Sequence, residues 1–286
     1  MSRIAYVNGR YVAHSEACVH IEDRGYQFAD GVYEVCEVAR GYIVEMKRHL
    51  DRLNRSLTEL SIDWPMTRAA FEIVVAEVVR RNRVKDGLVY LQVTRGVASR
   101  DFLFPQNTKP SLVVTARKVD PAAGQKRAEG GIKVITVPEN RWDRVDIKSV
   151  GLLPNVLAKQ KAKEAGAQEA WFVDVEGNVK EGGSSNAWIV TKDGSLVTRP
   201  AEYGILRGIT RTTLFDVAAK LGLKIEERGF SVAEAKAARE AFISSATTIA
   251  MPVVEIDGQP IANGHPGSVA LSLRRAFFDI AEKRPA

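Results

Sequence analysis

Residues 5–13 read Ala-Tyr-Val-Asn-Gly-Arg-Tyr-Val-Ala. Two short β-prone arms flank Asn8-Gly9, and Asn-Gly is the dipeptide most typical of a two-residue turn between antiparallel strands, because both residues tolerate positive φ. The stretch predicts a β-hairpin near the start of the chain. It therefore also predicts that the first part of the protein is built on an antiparallel sheet.

Beyond the hairpin, the hydrophobic pattern alternates between strand and helix periods. Strands are predicted over residues 31–44, 88–94 and 112–116. Residues 47–60 are amphipathic. A second helix is indicated by apolar residues at helical spacing, namely Phe71, Val74, Val75, Val78 and Val79. Residues 1–118 are therefore predicted to form a small N-terminal α+β domain in which a sheet carries two helices.

A change of composition marks the end of this domain. Residues 119–131 are small and polar and show no hydrophobic period, so we interpret them as an interdomain linker. The remaining residues, 132–286, contain many β-prone segments separated by turns, such as those at Gly177 and Gly194. Helices are predicted over residues 154–165, 214–221 and 268–281. The chain is thus predicted to have a second, larger domain that is rich in β structure.

The composition is that of an ordinary globular protein. Of the 286 residues, 45% are hydrophobic and 27% are charged, which excludes disordered and low-complexity classes. Cys18 and Cys36 are the only cysteines, so we expect no disulfide framework and a reducing compartment. No apolar stretch approaches the ~20 residues of a membrane span, and no signal-peptide core follows Met1. We therefore expect a soluble cytoplasmic protein.

A net charge of +6 and a pI near 9.3 raise the question of nucleic acid binding. The basic residues lie in short clusters, such as those within 80–83 and 159–163, and acidic residues are interleaved with them. This pattern is typical of solvated helix faces. Because no finger, helix-turn-helix or aromatic RNA-reading motif accompanies the clusters, we expect no nucleic acid partner.

Lys148 stands in a mostly apolar, β-like run that extends over residues 144–153. Partial desolvation there would disfavour the ammonium form and favour the amine that Schiff-base chemistry requires. Taken alone, the local pattern favours a lysine at the end of a strand whose amine reaches solvent.

Glu181 precedes two glycines, two serines and an asparagine, and the apolar strand 187–190 follows. Glycines permit close approach, and a carboxylate at such a strand edge can pair with a protonated pyridine nitrogen. The alternative is an ordinary turn residue on a hairpin.

Two further segments have the composition of anion-binding loops. In residues 206–211, Thr210 is predicted to be the N-cap of the following helix, where backbone N–H groups point outward. Residues 244–248 offer four hydroxyls and backbone donors after a short strand. Together these segments could hold a phosphate, and Arg52 could add a cation. Taken alone, these features are more often a helix cap, an ST-turn and a surface charge.

Several other site types find no support in the sequence. The four histidines lack metal-ligand spacing, so we predict packing or surface positions for them and no metal site. No Gly-x-Ser-x-Gly, Walker loop or Gly-x-Gly-x-x-Gly after a strand is present. Hydrolase, nucleotidase and Rossmann interpretations therefore lose their usual evidence.

Six segments, taken in their order along the chain, together resemble the class IV, fold-type IV pyridoxal-phosphate-dependent aminotransferases, most closely the D-amino acid aminotransferases. They are residues 22–34 (EDRGYQFADGVYE), 49–53 (HLDRL), 146–149 (DIKS), 155–160 (NVLAKQ), 181–186 (EGGSSN) and 208–211 (GITR). The resemblance spans nearly the whole chain. It implies an α/β sandwich N-terminal domain, a larger C-terminal pseudo-barrel domain, a homodimer, and pyridoxal 5′-phosphate held between the domains.

The resemblance also implies a role for individual residues. Lys148 would bind the cofactor aldehyde and carry the substrate proton, Glu181 would keep the pyridine nitrogen protonated, and Leu206 would pack on the ring. The phosphate would be bound by Arg52, Ile209, Thr210, Ser245 and Ala246. The substrate carboxylate would be bound by Tyr33 and, from the partner subunit, by Arg100.

Four positions depart from the pattern of the D-amino acid enzymes. Phe102 stands where a histidine of the carboxylate site is expected, and Glu37 stands where a lysine can occur. Ala246 lacks a hydroxyl that is frequent at its position, and Gly183 replaces a common serine. We expect these departures to tune the choice of substrate and to leave cofactor binding intact.

The first functional hypothesis is a D-amino acid aminotransferase that converts D-alanine and 2-oxoglutarate into pyruvate and D-glutamate by a ping-pong reaction. Three alternatives share the fold: a branched-chain L-amino acid aminotransferase, an (R)-amine aminotransferase and aminodeoxychorismate lyase. From a different class, a binding protein that retains the fold without catalysis also stays open.

Overall fold

The computed structural model describes residues 3–202 and 204–286, and the chain divides into two compact units. Unit 1 comprises the described residues up to 121 together with 147–151 and 282–286, and unit 2 comprises 122–146 and 152–281. The boundaries differ from the predicted ones, because residues 147–151 and 282–286 were assigned to the C-terminal domain. Both segments hydrogen-bond to strands of unit 1 and therefore belong to it.

Unit 1 has a mixed α+β structure. Its strands, in chain order up to residue 121, are β1 (Ile4–Val7), β2 (Arg10–Ala13), β3 (Gly31–Ala39), β4 (Tyr42–Val44), β5 (Gly87–Thr94) and β6 (Ser111–Lys118). Its α-helices are α1 (Arg24–Phe28), α2 (Met46–Glu59) and α3 (Arg68–Arg81). A short 3₁₀ turn covers His14–Glu16.

The hairpin predicted at the start of the chain is present. Val7 pairs with Arg10, and both Asn8 and Gly9 have positive φ, at 44° and 94°, as a tight turn between twisted strands requires. Alternate residues of β3 from Val32 to Val38 are buried on the face that packs against α2, while the residues between them are half-buried on the opposite face. This alternation decides which β3 side chains are available for chemistry.

Unit 2 is also mixed, with more strands than helices among its described residues. Its helices are α4 (Pro121–Gly130), α5 (Leu153–Glu164), α6 (Ile209–Lys220), α7 (Val232–Ala237) and α8 (Ser268–Ile280). Its strands are β7 (Ile132–Pro138), β8 (Glu169–Val173), β9 (Val179–Gly182), β10 (Asn186–Val190), β11 (Leu196–Thr198), β12 (Ile225–Glu227), β13 (Glu240–Ser245), β14 (Ile249–Ile256) and β15 (Gln259–Pro260). The last strand, β16 (Lys283–Pro285), returns to unit 1 and pairs with β4.

The segment interpreted as a linker, residues 119–131, contains helix α4. Pro121 begins this helix, a position where proline is tolerated, and Gly131 follows its last residue with a φ of 72°. Only Ala128 of the helix is fully buried, in the core of unit 2. A helix that buries one small side chain shows no hydrophobic period, which is why the sequence pattern did not indicate it.

The strand orders place the loops that carry the candidate residues. Among the described strands, the sheet of unit 1 has the order β16-β4-β3-β5-β6-β1-β2. The sheet of unit 2 has the order β12-β11-β10-β13-β14-β7-β8-β9, and β15 pairs with β14 at the side. Within residues 3–202 and 204–286, no helix has both the length and the apolar content of a membrane span.

Candidate active site

Lys148 lies on a short extended segment that adds to the edge of β3. Val32 and Ser149 form an antiparallel β-bridge, and the backbone N–H of Tyr33 donates to the carbonyl oxygen of Lys148 at 3.0 Å. The N–H of Lys148 donates to the hydroxyl of Ser56 on α2 at 3.3 Å. Backbone bonds to a strand and a helix therefore fix the position of this lysine in unit 1.

The register of the bridge determines the direction of the Lys148 side chain. With Val32 opposite Ser149, Lys148 lies opposite Tyr33, and residues opposite each other in an antiparallel pair point to the same face. In agreement, the Nζ atom of Lys148 is 4.3 Å from the centroid of the Tyr33 ring. Ile147 points to the other face and is buried in the core of unit 1. Lys148 itself is half-buried.

A buried charged cluster occupies the other face of β3. Glu34 accepts hydrogen bonds from Arg52, from Nε to Oε1 and from Nη2 to Oε2, both at 2.7 Å. The Nδ1 atom of His49 is 2.7 Å from Oε2 of the same carboxylate. Burial alone would raise the pKa of Glu34, but Arg52 and His49 outweigh it and hold the pKa at about 2.

His49 is held as a neutral group in this cluster. Burial lowers its pKa, and the hydrogen bond to Glu34 acts in the opposite direction. Because an ionised carboxylate can only accept, the Nδ1 atom of His49 is the donor in that bond. His49, Arg52 and Ser56 stand at i, i+3 and i+7 on α2, so they share one buried face of that helix. The packing role predicted for the histidines holds for His49.

The structure places Arg52 in an ion pair rather than on a solvated helix face. Its side chain is 8% exposed, so the alternative of a surface charge is wrong. The fork to Glu34 sets the plane of the guanidinium. Its assignment as a phosphate ligand stays a prediction.

Arg100 lies in the loop between β5 and β6. Its guanidinium is 5.0 Å from the ring centroid of Phe28 and 5.7 Å from that of Phe102, and Phe102 is 80% exposed. Within the described chain Arg100 makes no hydrogen bond or ring contact with Tyr33. The carboxylate site predicted for Tyr33 and the partner subunit's Arg100 stays a prediction.

In unit 2, Glu181 is a buried carboxylate on β9 with three donors around it. Oε1 accepts from Nη1 of Arg141 at 2.6 Å, and Oε2 accepts from Nδ2 of Asn186 and from the backbone N–H of Leu206, both at 3.1 Å. Burial raises the pKa of Glu181, and the Arg141 guanidinium opposes that shift. Glu181 is thus an interior carboxylate and not an exposed turn residue.

Asn186 connects Glu181 to the start of α6. Besides its bond to Glu181, Nδ2 donates to the carbonyl oxygen of Leu206 at 2.9 Å. A Cβ atom on Gly208 would overlap Oδ1 of Asn186, so only glycine permits this approach. The side chain of one asparagine therefore brings Glu181, Leu206 and the first turn of α6 together.

Helix α6 begins earlier than the sequence predicted. Gly208, not Thr210, is its N-cap, and no side chain caps the helix. Thr210 is instead the second helical residue, and both it and Ile209 are buried. The prediction that Thr210 is the N-cap is wrong, because the glycine required by the contact with Asn186 also adopts the extended N-cap conformation. The N–H groups of the first turn have no intrahelical acceptor.

Ser245 is the last residue of β13 in the same unit, and Ala246 follows it. The hydroxyl of Ser245 is 2.8 Å from that of Thr248 and 3.1 Å from that of Thr247. Ser244 pairs with Asn186 across β10 and β13, so the sheet register places this loop beside the Asn186 connection. Unit 2 therefore brings together the residues predicted to contact the cofactor ring and phosphate, apart from Arg52.

Sequence reasoning missed Arg141 and Asn186. Arg141 lies between two carboxylates, donating from Nη2 to Oε2 of Glu139 at 2.6 Å as well as to Glu181, and its guanidinium is 4.3 Å from the centroid of the Phe172 ring. No local motif surrounds Arg141, and its importance arises only from the fold. Asn186 is the last residue of the 181–186 segment on which the family resemblance rests. Its place in that segment was the signal that could have identified it as a site residue.

The substitution of glycine at position 183 has a steric basis in the structure. A Cβ atom there would lie 3.1 Å from Oε1 of Glu169 and 3.1 Å from Cδ of Lys159. Glu169 is itself buried, and it accepts from the hydroxyls of Ser184 and Ser185, each at 3.1 Å. A side chain at position 183 would thus require the ion pair of Lys159 and Glu169 to shift by a few tenths of an ångström.

The donor set fits pyridoxal phosphate. A carboxylate offers about four acceptor sites; three of those on Glu181 are used, which leaves room for one further N–H donor such as a pyridinium. The uncapped first turn of α6 suits a phosphate, and a lysine amine suits an aldehyde. By contrast, the described residues contain no cluster of His, Cys, Asp and Glu side chains suited to a metal ion.

Comparisons with known proteins agree with this chemistry. Residues 31–256 match the family described as amino-transferase class IV. The D-alanine aminotransferase of Bacillus licheniformis is 41% identical to this chain over 270 residues, which cover 94% of each chain. The D-alanine aminotransferase of Staphylococcus haemolyticus is 37% identical over 280 residues, which cover 98% of each chain. The crystal structure of a T.th. branched-chain amino acid aminotransferase with pyridoxamine 5′-phosphate superposes with a TM-score of 0.91 at 27% identity, covering 98% of this chain and 94% of that one.

The Glu34 cluster generates a prediction about acid stability. Because the pKa of Glu34 is lowered from 4.5 to about 2 on folding, its contribution is fully present above about pH 5 and is lost as the pH falls toward 2. We expect Glu34→Gln to be less stable at pH 7 by roughly 3–5 kcal/mol, because Arg52 stays buried without its partner. We also expect a flatter decline of stability between pH 5 and pH 2, measured by urea unfolding at several pH values.

Glu77→Gln is the matched control. Glu77 also has a pKa lowered to about 2, through hydrogen bonds to Arg80 and Arg81, but its pairs lie on the surface. We expect the free energy of unfolding of this variant at pH 7 to equal that of the wild type. A Glu34→Gln protein with wild-type stability and acid slope would contradict the account of the cluster.

Proposed function

The chain belongs to the class IV aminotransferase family, and on that premise we propose that it transfers amino groups between D-amino acids and 2-oxo acids. The pair we propose is D-alanine and 2-oxoglutarate, giving pyruvate and D-glutamate in a ping-pong reaction. The observation that carries this proposal is the identity of 36–41% to proteins named D-alanine aminotransferase, over nearly the whole chain.

A branched-chain L-amino acid aminotransferase is the second candidate. The backbone superposes closely on a branched-chain amino acid aminotransferase, with a TM-score of 0.91, but the sequence identity is 27% against 41% for the D-alanine enzyme. Backbone similarity reports the shared fold, whereas side chains decide substrate choice. The sequence relatives therefore favour the D-amino acid reaction. No particular observation favours an (R)-amine aminotransferase or a lyase.

Members of this family depend on pyridoxal 5′-phosphate. When bound, this cofactor accepts the electrons that remain on the substrate when the Cα proton departs. We assign the aldehyde link to Lys148. Once the substrate amine had taken its place, the freed Nζ amine would take the proton from the substrate Cα and return it during the transfer. The half-buried position beside the Tyr33 ring orients that amine. Tyr33 and Arg100 of the partner subunit are assigned to the substrate carboxylate.

In this proposal the residues of unit 2 hold the ring, and they hold the phosphate together with Arg52 of unit 1. Glu181 accepts the pyridine N–H and keeps that nitrogen protonated, while Asn186 and Arg141 fix the carboxylate. Leu206, whose N–H already donates to Glu181, packs on the ring. The residues assigned to the phosphate are Ile209 and Thr210 through the first turn of α6, Ser245 and Ala246 through the loop after β13, and Arg52.

The assembly and the location are also proposals. We propose a homodimer in which Arg100 of the partner subunit completes the carboxylate site beside Tyr33, in line with the resemblance to the D-amino acid enzymes. Among the described cysteines, Cys18 is exposed and Cys36 is buried, and both are free. Two unpaired thiols support the expectation of a reducing, cytoplasmic setting.

The experiment that tests the proposed function is a spectroscopic half-reaction screen. The loaded enzyme is mixed separately with D- and L-alanine, D- and L-glutamate, L-leucine and (R)-1-phenylethylamine, and the loss of the visible cofactor band is followed. We expect D-alanine and D-glutamate to bleach the band, since the sequence resembles that of the D-alanine enzymes. Bleaching by L-leucine alone would establish the branched-chain alternative. Release of more than one equivalent of pyruvate per bound cofactor, without any oxo-acid acceptor, would indicate a lyase or a deaminating reaction.

Glu181→Gln tests the role of the buried carboxylate. A neutral amide keeps the size of the side chain but no longer stabilises a protonated pyridine nitrogen, so we expect the half-reaction to slow by about 100-fold or more. Stopped-flow absorbance measures the rate. Glu176→Gln, in the exposed turn between β8 and β9, is the control and is expected to react at the wild-type rate. A wild-type rate in Glu181→Gln would refute the assignment.

A further inference from the structure

The face of the unit 1 sheet that carries Lys148 also carries two residues to which no role has been assigned. In the register of β3 and β5, Tyr33 lies opposite Gln92 and Val35 lies opposite Tyr90. Residues opposite each other share a face, and so do residues two apart on one strand. Tyr90 and Gln92 therefore lie on the same face as Tyr33 and Lys148.

Direct contacts connect these four side chains in a row. The hydroxyl of Tyr90 donates to Oε1 of Gln92 at 2.6 Å. The ring of Tyr90 is stacked on the ring of Tyr33, with centroids 5.7 Å apart and planes 28° apart. The Tyr33 ring in turn lies 4.3 Å from Nζ of Lys148. An amide, two rings and an ammonium group thus follow one another across the strands.

We propose that Tyr90 and Gln92 are positioning residues for Lys148, acting through the Tyr33 ring. Gln92 fixes the hydroxyl of Tyr90, the Tyr90 ring fixes the orientation of the Tyr33 ring, and the Tyr33 ring stabilises positive charge at Nζ of Lys148. This proposal depends on the proposed function only for the chemical role of Nζ of Lys148.

The physical basis is the attraction of a cation to the negative face of an aromatic ring. The attraction depends on the ring's presenting its face to the cation, so a ring that can rotate stabilises the charge less well. Tyr33 is half-buried, and the ring that contacts it from β5 is that of Tyr90. The stack restricts the rotation of the Tyr33 ring on that side.

Tyr90 is suited to this task because it stays a neutral donor. Burial raises the pKa of Tyr90, the neighbouring Tyr33 contributes a smaller increase, and together they bring it to about 12. Its hydroxyl therefore keeps its proton and its bond to Gln92 throughout the physiological pH range. No negative charge develops beside Tyr33 that could compete with the ring for the lysine.

Other charged groups of unit 1 near Lys148 lie mainly on the opposite face of β3. His49 and Arg52 extend from α2, and Glu34 extends from β3 between them. The pKa of His49 is lowered first by burial, then by the charge of Arg52 and last by that of Lys148. Glu37 lies on the Tyr33 face, four residues farther along β3. Substitutions at Tyr90 leave all four groups in place, so their influence is common to every variant compared.

The test is the pH midpoint of the visible band of the loaded enzyme, which reports the protonation of the nitrogen contributed by Lys148. In Tyr90→Leu the Tyr33 ring loses its stacking partner, the positive nitrogen is less stabilised, and the midpoint should fall by about half a unit to one unit. Gln92→Leu and Tyr90→Phe keep the stack and lose only the hydrogen bond, so we expect smaller decreases in the same direction.

Leu88→Ala is the matched control. Leu88 is the next β5 residue on the same face, but it lies opposite Glu37 and not opposite Tyr33. We expect this variant to lower thermal stability and to keep the wild-type midpoint. A wild-type midpoint in Tyr90→Leu, or an equal decrease in Leu88→Ala, would overturn the inference. If Tyr90→Leu does not fold, Gln92→Leu and Tyr90→Phe decide, and wild-type midpoints in both would overturn it.

A second measurement separates this inference from the proposed function. The pH dependence of acylation of Lys148, read by mass spectrometry on the cofactor-free chain, gives the pKa of its amine directly. We expect the pKa of the Lys148 amine to follow the same order among the variants as the pH midpoint, with the lowest value in Tyr90→Leu. A wild-type protein that binds no pyridoxal phosphate would refute the proposed function, while this amine pKa would still support or overturn the role of Tyr90.

Discussion

The pairing of residues 148–150 with the start of β3 is the constraint on which the chemistry of unit 1 depends. The carbonyl oxygen of Lys148 accepts from Tyr33, and the N–H of Val150 donates to the carbonyl oxygen of Gly31, both at 3.0 Å. A shift of one residue in this register would bury Lys148 and expose Ile147. Since Ile147 is part of the hydrophobic core, the core itself enforces the register that leaves the lysine amine available.

Two buried carboxylates show how the same side chain is adapted to opposite tasks. Glu34 has a bidentate arginine and a histidine around it, its pKa is held at about 2, and its acceptor sites serve to lock α2 onto β3. Glu181 has a raised pKa, and Arg141, Asn186 and Leu206 leave part of its acceptor capacity for another donor. A carboxylate whose pKa is raised binds a proton-bearing partner more readily, which suits a group assigned to a pyridinium.

Much of this arrangement could be predicted from the sequence, and the failures have physical causes. The Asn8-Gly9 hairpin and the helix with Phe71 on its buried face follow from local turn chemistry and periodicity. Helix α4 was missed because Ala128 alone gives no period, and the N-cap of α6 was misplaced because Asn186, distant in sequence, requires Gly208. Arg141 and the Tyr33–Tyr90 stack depend on contacts between separate strands and segments, which no local pattern records. Local patterns drew attention to Lys148 and Glu181 but left a strand-end lysine and a turn residue open, and the resemblance assigned their roles.

The central claim is that Lys148 is the residue that binds the cofactor, and chemical trapping tests it most directly. The protein loaded with pyridoxal phosphate is reduced with borohydride, digested, and searched by mass spectrometry for the reduced cofactor. The account predicts loss of the visible band on reduction and a single modified peptide that carries the label on Lys148, with no label in Lys148→Ala. Label on another lysine, or undiminished amino transfer by Lys148→Ala, would contradict it.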